Sequence, residues 1–154
     1  IPVYPRLYLS TDPDASIVRE SRHYNAGMPE YCVGRLEGEL GSLEGQTVAV
    51  FGASYRGGVK ETAFSGIFAT VDALRQRGAN VKVHDPMYSD EELEAFGWEP
   101  YHEGESAAAA IIQADHKEYA ELTPADVPGV KVLFDGRSVT DPQKWDGVPR
   151  LTIG

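Results

Sequence analysis

The chain has 154 residues, of which 42% are hydrophobic, enough for one ordinary domain with a buried core. Its formal net charge of −10 argues against a nucleic-acid-binding protein, because such a surface needs clustered Lys and Arg. The sequence has no run of about 18 apolar residues, so no membrane span is expected, and the single Cys32 rules out an intrachain disulfide framework and favours a reducing cytoplasm.

The first part of the sequence predicts a lead-in followed by a helix. Residues 1–13 are rich in proline and aromatic side chains, which favours an extended conformation. Over 14–40, apolar and small side chains recur every three to five residues, as on one face of a helix, and Asp12 or Asp14 can cap its start. The segment Gly27–Pro29 would bend this helix or divide it in two. The side chains of the stripe are Ile17, Ser21, Tyr24, Met28, Tyr31 and Leu36.

The rest of the sequence alternates between strand and helix signals. This alternation predicts an α/β domain over 46–154, a Rossmann-like parallel sheet with helices on both faces, preceded by the lead-in and linking helix over 1–45. The run Ala109–Ala114 is compatible with helix or strand, and its flanks favour strand. Ser89–Glu92 has the pattern of a capping box. The predicted strands span 47–51, 81–84, 98–101, 109–114, 130–134 and 151–153, and the predicted helices span 64–78, 90–96 and 117–122.

Two of the predicted strand ends carry candidate binding residues. In an open parallel sheet, ligands bind at the carboxyl ends of the strands. The loop Gly52–Gly58 follows the first strand, and its glycines and free amides would let a phosphate approach the backbone while Arg56 adds a forked cation. Phe134–Arg137 follows a later strand and could face this loop. Two arginines at two strand ends would form a site for a diphosphate.

Both signals also have simpler interpretations, which stay open at this level. Gly52–Gly58 matches neither Gly-x-Gly-x-x-Gly nor a P-loop, so it could be a plain strand–helix turn. Arg137 could be a surface ion-pair partner of Asp135 or Asp141.

The other reactive side chains are not expected to carry chemistry. His84–Pro86 looks like part of a catalytic pair, but no matching nucleophile is evident, so it is interpreted as a strand end with a proline stop. The four histidines lack the spacing of metal ligands, and no metal site is expected. Cys32 falls on the apolar stripe and is interpreted as a buried structural thiol.

Six segments, taken in order, resemble the UDP-glucose/GDP-mannose dehydrogenase family. One looks like the end of the central helix that joins the two nucleotide domains of the family, and five look like parts of its C-terminal domain. Each motif is modest, but their order and spacing together are specific and cover nearly the whole chain. The segments are Asn25–Tyr31, Val48–Arg56, Glu61–Ser65, Arg77–Pro86, Ala114–Tyr119 and Phe134–Arg137.

The resemblance implies a UDP-sugar-binding α/β domain in which Tyr55, Arg56 and Arg137 contact the substrate. It also implies that the helix over 14–40 supplies the contact of a homodimer. The full protein would oxidise the C6 alcohol of a UDP-sugar to a carboxylate in two NAD-dependent steps, through intermediates bound to a cysteine. The NAD would be bound mainly by an N-terminal domain outside this chain.

The start of the chain resembles one branch of that family. Ile1–Pro5 is similar to the residues that follow the catalytic cysteine in enzymes that oxidise UDP-N-acetylhexosamines. We therefore expect the nucleophilic cysteine just before Ile1, and no oxidation by this chain alone. Four positions depart from the family. Arg56 replaces a Lys and keeps its charge, and Tyr4 replaces an Asp that assists the chemistry. Ala63 replaces an Arg that reaches toward NAD, and Phe64 replaces a Glu.

Two rival functions stay open. The chain could be a stand-alone nucleotide-binding or regulatory domain without catalysis, in which case no dinucleotide-binding unit would precede it. It could also be an oligomerisation module built on the helix over 14–40. Dimerisation without binding of any nucleotide would favour that second possibility.

Overall fold

The computed structural model describes residues 3–153, which fold around a sheet of six parallel strands. The strands are β1 (Thr47–Phe51), β2 (Asn80–His84), β3 (Glu99–Pro100), β4 (Ala109–Ile112), β5 (Val132–Asp135) and β6 (Arg150–Thr152). The α-helices within the described range are α1 (Val3–Thr11), α2 (Ser16–Ala26), α3 (Met28–Leu40), α4 (Ile67–Gln76) and α5 (Asp90–Ala95). Short 3₁₀ helices occupy Lys117–Glu121, Pro124–Asp126 and Pro142–Trp145.

The strand order creates a natural binding crevice. The strands are arranged β3-β2-β1-β4-β5-β6. The first strand, β1, therefore lies in the middle of the sheet, with β2 and β3 on one side of it and β4, β5 and β6 on the other. Connections leave β1 and β4 in opposite directions, which opens a crevice beyond the carboxyl ends of these two strands. The parallel sheet and its helices confirm the predicted fold class.

Both faces of the sheet are buried, which explains why β1 is a continuous apolar run. Val48 and Val50 point into a core that also contains side chains of α3, α4 and α5. Ala49 and Phe51 point into a second core, on the face covered by the 3₁₀ helices and loops. Tyr119 and Trp145 are buried in that second core, and they come from two of the 3₁₀ helices. Within residues 3–153, every helix is too short or too polar to cross a membrane.

The N-terminal segment differs from its sequence prediction. The extended lead-in over 1–13 is wrong for the described part, because residues 3–11 form α1. Pro5 lies in the first turn, where a backbone N–H has no intrahelical partner, so this proline does not prevent the helix. Ile1 and Pro2 of the Ile1–Pro5 motif lie outside the described residues.

The helix predicted over 14–40 is divided at Gly27 into α2 and α3, one of the two outcomes expected there. The predicted cap is wrong, because Ala15 is the N-cap of α2 and makes no side-chain hydrogen bond to it. Asp12 instead accepts a bond from the backbone N–H of Asp14 at 3.2 Å. Cys32 is only half-buried at the edge of the core, although this burial still raises the pKa of its thiol.

The helix after β1 also begins later than predicted. Phe64 was expected on the buried face of that helix, but α4 begins at Ile67. Phe64 has a φ of 61° and an exposed ring, which the Arg6 guanidinium covers at 4.9 Å from the ring centroid. The connection from β1 to α4 is therefore a long loop. The predicted capping box is confirmed, since Ser89 and Glu92 exchange hydrogen bonds at the start of α5.

Candidate functional site

A buried carboxylate shapes the loop that follows β1. Asp85 comes directly after β2 and is 2% exposed. Its Oδ2 accepts hydrogen bonds from the backbone N–H groups of Ala53, at 2.8 Å, and Ser54, at 3.1 Å. Its Oδ1 accepts from the N–H of Met87 at 2.9 Å. One side chain thus holds the first turn of the β1 loop against the end of β2.

A buried histidine adds the loop after β4 to this network. His116 Nε2 lies 3.1 Å from Asp85 Oδ2, and the Gly58 N–H donates to His116 Nδ1 at 3.4 Å. The two contacts fit one tautomer, in which Nε2 carries the proton and Nδ1 accepts. The loops after β1, β2 and β4 are therefore joined through two side chains that are almost fully buried.

Two glycines allow the β1 and β4 loops to touch. Gly52 has a φ of 103°, and a Cβ there would lie 2.5 Å from the Cβ of Ala114. A Cβ on Gly57 would lie 2.1 Å from the carbonyl oxygen of Asp115, closer than real atoms approach. The absence of side chains at these positions is thus a steric requirement of the crevice.

The three residues predicted to bind the ligand come together at this edge of the sheet. The Arg137 Nη2 donates to the carbonyl oxygen of Tyr55 at 3.3 Å. This bond joins the end of β5 to the loop after β1. The Arg56 Nε lies 3.3 Å from the hydroxyl oxygen of Tyr55. Both guanidinium groups therefore contact one residue. Arg56 is exposed and forms no salt bridge with any residue in the 3–153 range.

A second buried carboxylate determines where Arg137 points. Asp135, at the end of β5, accepts from the side chain of Arg150 at 2.8 Å and from the hydroxyl of Thr140 at 2.6 Å. Burial raises the pKa of Asp135, but the bonds from Thr140, from the Arg137 backbone and from Arg150 outweigh it and hold the pKa below its usual range. Because Arg150 already neutralises Asp135, the Arg137 side chain is left to cross to the β1 loop.

The partner of Arg137 is an aspartate of the β4 loop. Asp115 Oδ1 accepts from the Gly57 N–H at 2.8 Å and from Arg137 Nη2 at 3.3 Å. These contacts, the Gly57 bond first, lower the pKa of the Asp115 carboxyl below its ordinary value. One interpretation of the sequence expected Arg137 to form an ion pair with Asp135 or Asp141. Arg137 does form an ion pair, but its partner is Asp115.

A neighbouring cleft of about 250 Å³ has the opposite electrostatic character. Aromatic side chains at the ends of β1 to β3 form its floor, and carboxylates including Glu103, Glu118 and Glu121 stand around it. Burial lowers the pKa of His84, so the one imidazole in this cleft is neutral at pH 7. A phosphate would be repelled there, whereas the crevice offers the guanidinium groups of Arg56 and Arg137.

The chemistry available at the crevice is recognition of an anion. Exposed guanidinium groups can each bind two phosphate oxygens through parallel hydrogen bonds. The described residues contain no group of three or more His, Cys, Asp or Glu side chains placed to hold a metal ion. Cys32 lies on α3, away from these loops, and its raised pKa keeps it a thiol.

The residues that build the crevice were largely missed in the sequence. Both Asp85 and His116 fall in segments that resemble the family, but neither was given a role: Asp85 was interpreted as part of a strand end and His116 as a histidine without ligand spacing. Arg150 and Thr140 carried no signal at all. An Asp-Pro at one strand end and an Asp-His after another are the only local features that could have pointed to the network.

Comparisons with known proteins agree on one family. The family described as "UDP-glucose/GDP-mannose dehydrogenase family, UDP binding domain" matches residues 49–142. A UDP-N-acetyl-D-mannosamine dehydrogenase of Methanococcus vannielii is 25% identical over 153 residues, which cover 94% of this chain and 35% of that protein. A UDP-glucose 6-dehydrogenase of Haloferax volcanii is 29% identical over 121 residues, which cover 75% of this chain and 28% of that protein.

Solved structures give the same result. A UDP-glucose dehydrogenase from Pyrobaculum islandicum superposes with a TM-score of 0.77 at 25% identity, over 98% of this chain and 34% of that one. The UDP-N-acetyl-mannosamine dehydrogenase of Staphylococcus aureus superposes with a TM-score of 0.73 at 25% identity, over 91% of this chain and 34% of that one. The chain thus spans about a third of the length of the relatives that it matches.

Proposed function

Because this chain belongs to the UDP-glucose/GDP-mannose dehydrogenase family, we propose that it is the UDP-sugar-binding portion of an NAD-dependent nucleotide-sugar 6-dehydrogenase. Its role is to hold the nucleotide diphosphate, so that the sugar is oriented for chemistry carried out elsewhere in the enzyme. The observation that carries the proposal is the convergence of Arg56 and Arg137 on Tyr55, at the switch point of the sheet.

Each of the three residues has a distinct role in this proposal. Arg137 extends from the end of β5 and presents a planar fork to one phosphate. Arg56 extends from the β1 loop and neutralises further charge of the diphosphate. Tyr55 spaces the two guanidinium groups. The N–H of Gly57, which donates to the exposed carboxylate of Asp115 in the structure, is a further donor that a phosphate oxygen can use.

The family supports a proposal for the reaction of the whole enzyme. The parent oxidises the C6 alcohol of the sugar to a carboxylate, and NAD accepts the hydrides when it is bound. We place the NAD site mainly outside this chain, because Ala63 and Phe64 offer no polar group to a cofactor. This chain by itself is expected to give no NADH from any UDP-sugar, and the absorbance of NADH checks that.

The names of the relatives support a particular class of substrate for the parent enzyme. Several are UDP-N-acetyl-D-mannosamine dehydrogenases, which supports a UDP-N-acetylhexosamine as the substrate of the parent. Others are UDP-glucose dehydrogenases, which makes the UDP group the shared element. We propose a cytoplasmic location for the enzyme, which the single cysteine supports.

We also propose that the chain forms a homodimer through the helices over 14–40. Ile17 and Tyr24 on α2 are 80% and 77% exposed, and Tyr31 on α3 is 55% exposed. Exposed apolar side chains that form a stripe along a helix normally pack against another protein surface. Leu36, at the far end of the same stripe, is already fully buried against the sheet.

Alanine substitutions at the two arginines test the diphosphate site. Arg56→Ala and Arg137→Ala should each weaken UDP binding by about ten- to a hundredfold, because a charge-assisted bond to phosphate contributes roughly 1.5–3 kcal/mol. Lys131→Ala is the matched control, because Lys131 is an exposed cation at the opposite end of β5. Calorimetry or NMR titration measures the affinities. Equal UDP affinity in the wild type and both arginine variants would refute the site.

Thermal unfolding with a panel of nucleotide sugars tests the choice of ligand. A ligand that binds only the folded chain raises its stability by mass action. UDP-sugars should therefore raise the unfolding temperature more than GDP-sugars at equal concentration. A larger effect of GDP-sugars would contradict the assignment of UDP.

A further inference from the structure

The anion-binding groups of the crevice already hold an anion of the chain itself. The Asp115 carboxylate accepts from the Gly57 N–H at 2.8 Å and from Arg137 at 3.3 Å. One donor is a backbone amide of the glycine-containing loop, and the other is the guanidinium assigned to phosphate. A carboxylate and a phosphate oxygen use the same donors with similar geometry.

The position of Asp115 lets its side chain leave without disturbing the loops. The contact between the loops is made by the backbone of residue 115 against Gly57, and His116 fastens the same turn to Asp85. The Asp115 side chain is 52% exposed, so a change of rotamer can move its carboxylate into water. The ion pair with Arg137 is half-exposed as well, and a pair of this kind is weak.

We propose that Asp115 is an internal anion that occupies the diphosphate site, so that the ligand binds by displacing this carboxylate from Arg137 and the Gly57 N–H. The proposal rests on the proposed function. Before binding, Asp115 holds the Arg137 fork beside the Tyr55 carbonyl and keeps the crevice ordered. When the diphosphate binds, the Asp115 carboxylate loses its contacts with Arg137 and with the Gly57 N–H, and this loss reduces the net free energy of binding. Asp115 therefore sets the affinity of the site and keeps it below what its cations alone would give.

Asp115→Asn separates the charge of this side chain from its shape. The amide oxygen of Asn can still accept from the Gly57 N–H, but the ion pair with Arg137 is lost. UDP affinity should therefore rise by about two- to fivefold, the range expected for a partly exposed ion pair. The gain should shrink in added salt, because salt screens the competing carboxylate.

Glu118→Gln is the matched control. Glu118 is an exposed carboxylate three residues further along, and it contacts neither Arg137 nor Gly57. Titrations of this chain with UDP, followed by NMR, compare both variants with the wild type. A gain for Asp115→Asn and a clearly smaller change for Glu118→Gln support the displacement.

Unchanged or weaker UDP binding by Asp115→Asn would overturn the proposal and make Asp115 a positioning residue. An equal gain in both variants would also overturn it, because general repulsion would then explain the effect. The proposed function is tested separately by Arg56→Ala and Arg137→Ala. If those variants lose affinity while Asp115→Asn gains none, the diphosphate site stands and only the displacement fails.

Discussion

The N-terminal helices and the sheet present opposite patterns of burial. Between residues 4 and 27 no residue is buried, although Ile17 and Tyr24 are large and apolar. In β4 and β5 every residue is buried, including the charged Asp135. Apolar side chains therefore do not mark the core of this chain by themselves. What separates the two regions is whether the rest of the chain covers them.

The largest contrast is expected for two aspartates. Asp85→Ala removes a buried carboxylate that holds three backbone N–H groups and His116. Leaving these groups unpaired should lower the free energy of unfolding by about 3–5 kcal/mol. Asp14→Ala, on the exposed segment, should change it by less than about 0.5 kcal/mol. Urea denaturation measures both, and similar losses would remove the distinction between the regions.

Two apolar residues of the same stripe give the next contrast. Leu36→Ala should cost about 2–5 kcal/mol of unfolding free energy, because Leu36 is fully buried and its truncation leaves a cavity. Ile17→Ala should cost less than about 0.5 kcal/mol in dilute protein, because its side chain is 80% exposed. A large loss for Ile17→Ala at low protein concentration would mean that α2 packs on its own domain.

A pH series tests the carboxylate that orients Arg137. The folded state lowers the pKa of Asp135, so its contribution is fully present above the unfolded pKa of about 3.9 and is lost as pH falls through the folded value. Asp135→Asn should remove about 1–3 kcal/mol of unfolding free energy at pH 7. The difference from the wild type should narrow below about pH 4. A difference that is constant between pH 7 and pH 3 would contradict the ionised state of Asp135.

The smallest expected effect concerns self-association. Ile17→Asp places a charge on the exposed face of α2 and should weaken the proposed homodimer by about tenfold or more. The free energy of unfolding of the monomer should stay within about 0.5 kcal/mol of the wild type. Sedimentation velocity over a concentration series measures the association. Identical sedimentation of wild type and variant would show that α2 is not the contact.

The parts of the fold that the sequence predicted are those with a local cause. The predicted bounds of β1 agree with the structure, because a strand buried on both faces must be a continuous apolar run. The capping box at Ser89 was also recognisable, since all its atoms lie within four residues. The expectation that Arg56 and Arg137 face each other followed from the rule that ligands bind at the carboxyl ends of parallel strands, whereas Tyr55 was implied by the family resemblance.

What the sequence did not predict depends on residues far apart in the chain. Asp85 and His116 are separated by 31 positions, and no spacing rule connects a strand end to a loop at that distance. The partner of Arg137 could not be assigned either. Arg150 donates to Asp135 because β5 and β6 are paired in the sheet, and this pairing cannot be inferred from the spacing of the residues. Pro5 caused the opposite error. In the sequence it looks like a helix breaker, so an extended segment was predicted, but a proline is tolerated in the first turn of a helix, where α1 places it.

Chemical-shift mapping with UDP tests the central claim most directly, namely that the crevice between β1 and β4 binds the diphosphate. In a ¹H–¹⁵N titration of the chain, the largest changes should occur at the backbone amides of Gly57, Gly58, Asp115 and Arg137. The helix α2 should show none, because it packs against α1 and α3. Changes concentrated around His84 and Tyr119, or spread over α2, would contradict the account.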